Sequence, residues 1–338
     1  MKNLPSHEAA KGMPVTVADL VEAGGCRLRL SVVAGEAHQR REIPDPVVNR
    51  PGLALTGFFE SFAWNRLHLL GNAETAYLSS LPHEERIARF KGLIDHKARQ
   101  FVFTSGHRPD PDEIALAERH GAVILETPLT TGAFARHATF VMEQLAAPRT
   151  SVYGTMIEVC GLGVMFEGDP GLGKSETALG LIKRGSALIA DDLTCIRKDV
   201  STNLLFGSAS ESTAGYMEIR GIGIMHVPSV FGINAVRGEK RLQLVITFKR
   251  LNEIRGEVDR IGQTRRTREI LGVAVPNIII PVSEGRDLVN LVETAAQQQK
   301  LVLAGYDPVT ELSERLRARA GVVSVNKSEK RKGKKHGR

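Results

Sequence analysis

Between Gly163 and Asp192 the chain reads GVMFEGDPGLGKSETALGLIKRGSALIADD, and no other stretch constrains the fold as tightly. Val164-Met165-Phe166 is a short apolar run between glycines, the pattern of a buried strand. Gly168-Asp169-Pro170-Gly171-Leu172-Gly173-Lys174-Ser175 then fits G-x-x-x-x-G-K-[ST] at every fixed position. Glu176 to Arg184 reads as a helix closed by Gly185. A second apolar run, Ala187 to Ala190, ends in Asp191 and Asp192. Strand, glycine loop, helix, strand and acidic pair is the order of a phosphate-binding βαβ unit.

A triphosphate needs many donors at close range. Glycines let a loop bend so that backbone N–H groups meet phosphate oxygens. The helix N-terminus points its free N–H groups and positive dipole end at the same anion. Lys174 is placed to bridge the terminal phosphates, and the Ser175 hydroxyl to ligate Mg²⁺. The eight residues Gly168 to Ser175 are therefore the expected nucleotide cradle.

The chain has 338 residues, enough for two or three domains. Apolar content of 42% supports packed cores. No apolar run approaches the length of a membrane-spanning helix, and Met1 to Gly25 lacks a secretory pattern. The three cysteines, Cys26, Cys160 and Cys195, show no metal-ligand spacing, so a cytoplasmic chain with reduced thiols is expected. Net charge is +7, but Asn326 to Arg338 holds seven Lys/Arg and one Glu and so carries +6 of it. The basic signal belongs to a tail, read as solvated disordered chain at residues 326–338, with a weak anionic partner such as RNA as the alternative. Neither a membrane nor nucleic acid is the expected partner of the body.

The rest alternates helix and strand signals. Val15 to Gly24 reads as a short helix and Arg27 to Val33 as a half-buried strand. Helices are expected over Thr75–Leu81, Glu84–Ile94, Asp110–Glu118 and Thr130–Leu145, with strands at Phe101–Thr104 and Ala122–Glu126. These form a small N-terminal α/β domain, residues 1–148, without a catalytic constellation; its histidines read as structural or surface residues. A second domain, 149–325, opens on a strand over Ser151–Val159. It continues through the phosphate loop, a glycine-punctuated run Met217–Ile224, strands at Leu242–Phe248 and Pro276–Val282, and helices at Leu288–Ala304 and Thr310–Ala320.

Five motifs in order resemble the bacterial HPr kinase/phosphorylase family. They are GKSE at Gly173–Glu176, A-D-D at Ala190–Asp192, Glu218-Ile-Arg-Gly-Ile-Gly-Ile224, Asp259-Arg260-Ile-Gly262 and Pro281-Val282-Ser283-Glu284-Gly285-Arg286. Asn49 to Gly57 is also family-like. The resemblance implies an α/β fold whose C-terminal P-loop kinase domain is similar to that of phosphoenolpyruvate carboxykinase. It implies serine phosphorylation of the phosphocarrier protein HPr with ATP and Mg²⁺, reversed by inorganic phosphate with release of pyrophosphate, in a homohexamer that regulates carbon metabolism. Carried over by position, Lys174 holds phosphates and Ser175 and Glu218 hold Mg²⁺. Asp192 is the base, with Asp191 its close partner, and Arg260 steadies the transferred group. The segment Pro281, Val282, Ser283, Glu284, Gly285, Arg286 serves dephosphorylation.

Two positions depart from the family pattern. Pro170 stands where serine is common and removes one N–H donor from the loop. Tyr153, in Val152-Tyr153-Gly154, stands where the family has histidine in I-H-G. The expectation is a protein that is mainly a kinase with weak phosphorylase activity. Two other readings are a kinase for a different acceptor and an ATP-binding regulatory module whose tail contacts nucleic acid. The full set Lys174, Asp191, Asp192, Glu218 and Arg260 weighs against the module, because binding alone does not require it.

Overall fold

The structure, a computed structural model, describes Gly12 and residues 14–254, 266–283 and 285–319. Arg260, Glu284 and the basic tail at 326–338 lie outside the described residues. The chain divides into two compact units: one runs to Thr150 and takes in Arg197–Asn203, the other holds Ser151–Ile196 and the chain from Leu204 onward.

The first unit begins with α1 (Val17–Leu28), started by a reciprocal cap in which the Thr16 hydroxyl accepts from the Asp19 N–H and the Asp19 carboxylate accepts from the Thr16 N–H. The helix consumes Arg27 and Leu28, which the alternating pattern had assigned to a strand, and closes on Arg29 in the left-handed region at φ 49°. Only Ser31–Ala34 (β1) is extended. The capping box outweighs the local alternation because it satisfies backbone donors that the alternation leaves free.

There follow β2 (Val48–Asn49), α2 (Gly52–Leu55), β3 (Leu67–Leu70), α3 (Asn72–Ser80), α4 (His83–Asp95), β4 (Gln100–Phe103), α5 (Pro111–His120), β5 (Val123–Glu126) and α6 (Thr131–Ala146). The sheet order is β1-β5-β4-β3-β2; β2 to β5 run parallel and β1 lies antiparallel on β5. Strand alternation sends Phe101 and Phe103 into a core beneath α4 and α5, and Val102 into a second core against α1 and α6. Burial on both faces explains why these strands read as continuous apolar runs.

The second unit is built from β6 (Arg149–Tyr153, whose first two residues fall in the first unit), β7 (Thr155–Val159), β8 (Leu162–Glu167), α7 (Lys174–Lys183), β9 (Ala187–Ala190), β10 (Leu193–Asp199, whose last three residues fall in the first unit), β11 (Leu204–Ser208), β12 (Tyr216–Ile219), β13 (Gly223–His226), α8 (Val227–Phe231), β14 (Glu239–Arg250), β15 (Arg266–Ile270), β16 (Val273–Val282), α9 (Leu288–Leu303) and α10 (Pro308–Arg319). Its main sheet follows β6-β10-β11-β14-β8-β7-β9, with β16 on β14 and β15 on β16. β12 and β13 form a separate hairpin.

Two expectations change here. The strand expected over Ser151–Val159 is broken at Gly154, where a side chain would meet the Phe166 carbonyl at 2.6 Å. The two strands flanking the phosphate loop are also not neighbours: β7 lies between β8 and β9, antiparallel to both. A one-dimensional pattern shows the order of strands and not their lateral insertion. Val164 and Phe166 pack with α7 and α9 on one face, Met165 with Met156, Ile189 and Val245 on the other. Strands β8, β14 and β16 run parallel and end at one edge, with Glu167 beside Thr247 and Lys249 beside Pro281. The phosphate loop leaves that edge.

Candidate active site

The loop Gly168–Gly173 joins the end of β8 to the start of α7. Gly168 sits at φ 142°, and a Cβ there would lie 2.5 Å from the Phe248 carbonyl, so only glycine lets the loop leave the sheet this closely. Gly173 precedes the helix in the left-handed conformation at φ 81°. The first turn is fastened by Thr177, whose hydroxyl donates to the Gly173 carbonyl at 2.6 Å. The Lys174 ammonium donates to two carbonyls of its own loop, Gly168 at 2.9 Å and Asp169 at 3.1 Å, and makes no ion pair among the described residues. An anion placed in the loop would compete with neutral oxygens alone for this charge.

Asp191, at the end of β9, is the centre of the site. It is 8% exposed, and both oxygens are occupied by donors. Oδ1 accepts from the Thr155 hydroxyl at 2.8 Å and the Ser175 hydroxyl at 3.3 Å; Oδ2 accepts from the Glu218 N–H at 3.0 Å. Burial pushes its pKa above the usual carboxylate value, opposed by the hydrogen bonds from Thr155 and Glu218 and reinforced by the nearby Asp192 charge. None of its donors among the described residues is a cation. A buried carboxylate held by neutral groups beside a phosphate loop fits a divalent cation, because burial raises the cost of its unpaired charge.

Asp192 is exposed and takes φ 59°, in a tight turn where the Leu193 N–H donates to the Asp191 carbonyl at 2.7 Å. The Gly154 N–H donates to the Asp192 carbonyl at 2.9 Å, and the Thr194 hydroxyl to the Gly154 carbonyl at 2.8 Å. The buried acid is thus engaged, and the exposed acid has no side-chain partner among the described residues. Tyr153, immediately before Gly154, is 82% exposed.

Of the residues singled out in the sequence, Lys174, Ser175, Asp191 and the Glu218 backbone converge, and Asp192 adjoins them. The Glu218 side chain is exposed on the β12–β13 hairpin. Pro281 and Val282 end β16 at the sheet edge that carries the loop, and Arg286 donates to the Pro281 carbonyl at 3.2 Å. No hydrogen bond joins Pro281–Ser283 or Gly285–Arg286 to the loop among the described residues, but the segment leads into α9, whose Leu288 lies 3.7 Å from the Cβ position of Gly173.

Two residues without an assigned role in the sequence also belong to the site. The Arg220 guanidinium lies 3.7–3.8 Å from the Cβ position of Gly171, over the loop. Its signal was its place two residues after Glu218 in a motif read chiefly for its acid. Thr155 carried no signal, being one position in an apparently continuous strand.

A glycine loop at a sheet edge, an ammonium with neutral partners, and a buried acid touching the loop serine define a P-loop protein that handles phosphoryl groups. The family model for the HPr Serine kinase N terminus matches residues 15–142, and that for the HPr Serine kinase C-terminal domain matches residues 143–316. The chain belongs to the HPr serine kinase family. It is 39% identical to the HPr kinase/phosphorylase of Leptospira biflexa serovar Patoc, over 86% of this chain and 90% of that one. With the HPr kinase/phosphorylase of Lactiplantibacillus plantarum it shares 38% identity, over 94% and 99%. Among solved structures, the Hpr(Ser) kinase/phosphatase from Coxiella burnetii matches at 33% identity with a TM-score of 0.44, covering 48% of this chain and 98% of that one. No helix among the described residues is long and apolar enough to cross a membrane.

Proposed function

We infer that this chain is a serine kinase/phosphorylase acting on the phosphocarrier protein HPr. In the forward direction the serine hydroxyl attacks the terminal phosphorus of ATP, the bond to ADP breaks, and the serine proton passes to a carboxylate. In reverse, an oxygen of inorganic phosphate attacks the phosphoserine phosphorus, the serine oxygen leaves and recovers a proton, and pyrophosphate forms. The observation that carries this reading is Asp191, buried with no cationic side chain beside it among the described residues and bonded to the loop serine.

Lys174 leaves its carbonyl partners for the phosphates, and the N–H groups of the loop and of the start of α7 complete the cradle. Ser175 and the Glu218 carboxylate are assigned to Mg²⁺, with Asp191 behind the serine. Bound there, Mg²⁺ would supply neutralisation of phosphate charge. Asp192 is assigned as the base, since its carboxylate has no partner among the described residues and is exposed. Arg220 adds a cation over the loop. Arg260 is assigned to the transferred phosphoryl group, and Pro281–Arg286 to the reverse reaction. We assign the catalytic domain to 149–325 and the N-terminal domain to 1–148, in a cytoplasmic homohexamer that regulates carbon metabolism.

The test is incubation with labelled ATP and the same organism's HPr. Label on a serine of the carrier, removed by inorganic phosphate with pyrophosphate release, is expected. A carrier that stays unlabelled under conditions where the protein binds ATP would remove HPr as the acceptor.

A further inference from the structure

We propose that Thr155 is a positioning residue whose hydroxyl holds the Asp191 carboxylate where it can support a divalent cation at Ser175. The inference rests on the cation-dependent transfer inferred above and adds to it a residue that lies outside every motif of the sequence. Thr155 opens β7 and is fully buried. Its bond to Asp191 Oδ1 is 2.8 Å, against 3.3 Å for the bond from Ser175 to the same oxygen. Glu218 N–H fixes the other oxygen. The orientation of the carboxylate is therefore set by Thr155 and Glu218, and the longer serine bond follows from it.

A hydroxyl has one proton to donate and lone pairs to offer. When Ser175 gives its proton to Asp191, its lone pairs remain for a cation. That division depends on Asp191 staying in place, as ligand-orienting partners do around bound metals. Thr155 has little freedom to drift. The preceding Gly154 is bonded through its N–H to the Asp192 carbonyl and through its carbonyl to the Thr194 hydroxyl, and it has no room for a side chain. The β6–β7 junction thus grips both aspartates, one by backbone and one by side chain.

A buried threonine that merely satisfies its own hydroxyl would affect stability alone, and two substitutions separate the roles. Thr155→Val keeps the shape and deletes the donor; Thr155→Ser keeps the donor and deletes a methyl group. Binding of Mn²⁺ to the full chain is followed by electron paramagnetic resonance with a non-hydrolysable ATP analogue, against the analogue alone, alongside urea unfolding. Thr155→Val is expected to weaken Mn²⁺ binding about tenfold, the scale of one hydrogen bond to a charged group. Thr155→Ser is expected to stay within about twofold, although the lost methyl lowers its stability. Wild-type affinity in the valine variant, or an equal loss in the serine variant, overturns the role of Thr155 and leaves the kinase reading intact. A wild-type chain that adds no Mn²⁺ binding beyond that of the analogue overturns both. If the valine chain does not fold, Thr155→Cys, of similar size with a weak S–H donor, replaces it and should show an intermediate loss.

Discussion

Each unit buries carboxylates, and they are treated differently. In the first, Glu74 is 5% exposed and is paired with Arg50 at 3.0 Å, while also accepting from the Gly71 N–H. Glu113 is fully buried and paired with Arg86 at 3.1 Å, while its other oxygen caps the Asp110 N–H. In the second unit the donors to Asp191 among the described residues are the Thr155 and Ser175 hydroxyls and backbone N–H groups, with no cation among them. A carboxylate neutralised by arginine is committed to the fold. One held by neutral donors keeps its charge for something that arrives later. The same contrast holds for the cations: Arg50 and Arg86 are fork-bonded to acids, whereas Lys174 rests on carbonyls.

The contrast breaks most visibly at Lys174. Lys174→Ala removes a phosphate clamp, and loss of such a clamp costs several kcal/mol of transition-state stabilisation. A fall in transfer rate of about a thousandfold or more is expected, with the urea midpoint nearly unchanged because no ion pair is lost. A folded variant that turns over at the wild-type rate would remove this lysine from the site.

The converse substitution is Glu113→Ala. It strands Arg86, which is only 22% exposed, without its main buried partner. Breaking a pair of this kind costs about 3 kcal/mol. The single tryptophan, Trp64, lies in the first unit, so the red shift of its emission in urea reads that unit's unfolding. The midpoint should fall, while phosphoryl transfer at low temperature stays within about twofold. A large loss of turnover in the folded variant would show that the charge pairs of the first unit also serve the chemistry.

The pH responses of the two buried groups should have opposite signs. His68 is fully buried among Phe62 and Phe101, with Asn49 at one ring nitrogen and the Trp64 carbonyl at the other. Burial lowers its pKa from 6.5 to about 4, against the opposing bond to Trp64. The unfolded chain takes up this proton below pH 6.5 while the folded chain refuses it until about pH 4, so stability is lost as pH falls through that window. The loss between pH 6.5 and 5 is about 2 kcal/mol at 1.36 kcal/mol per unit. Asp191, with its pKa raised, acts the other way: the folded chain holds its proton more tightly, and that contribution is lost as pH rises above the ordinary carboxylate range. Urea midpoints read at Trp64 for wild type and His68→Phe should converge at pH 5 relative to pH 7. Parallel curves would show that His68 is protonated in the fold.

Much of this was legible in the sequence, and the failures have physical causes. The phosphate loop, its helix and the acidic pair were visible because close approach to an anion demands particular residue types at fixed spacing. The placement of β7 between β8 and β9 was invisible because lateral order leaves no trace in a periodic pattern. Thr155 was invisible for a related reason: within an apparent strand over Ser151–Val159, nothing marks the one hydroxyl that turns toward a distant aspartate. In the first unit the histidines read as structural, and His68 illustrates why such residues are hard to rank, since its burial among aromatic rings comes from chain segments far apart in sequence.

The smallest effect is expected at Tyr153, which tests how open the second unit's site is. Its ring is 82% exposed beside the Gly154 that holds Asp192. Tyrosine offers a hydroxyl hydrogen bond, whereas an introduced imidazole is the side chain that becomes a cation just below neutral pH. The forward reaction depends on Lys174 and the aspartates and should be indifferent to the exchange. The reverse reaction must bring a second anion, inorganic phosphate, to the same edge, and an exposed cation improves its capture modestly because solvent screens it. Tyr153→His should therefore raise pyrophosphate release from phosphorylated HPr about threefold at pH 6, fading toward pH 8, with kinase turnover unchanged. Assays at matched phosphate concentration and two ionic strengths distinguish this from a structural effect, because an electrostatic gain shrinks with salt. Strong release from the wild type with no gain in the variant would mean that the carrier reaction draws its positive charge from elsewhere, with Arg220 over the loop as one described candidate.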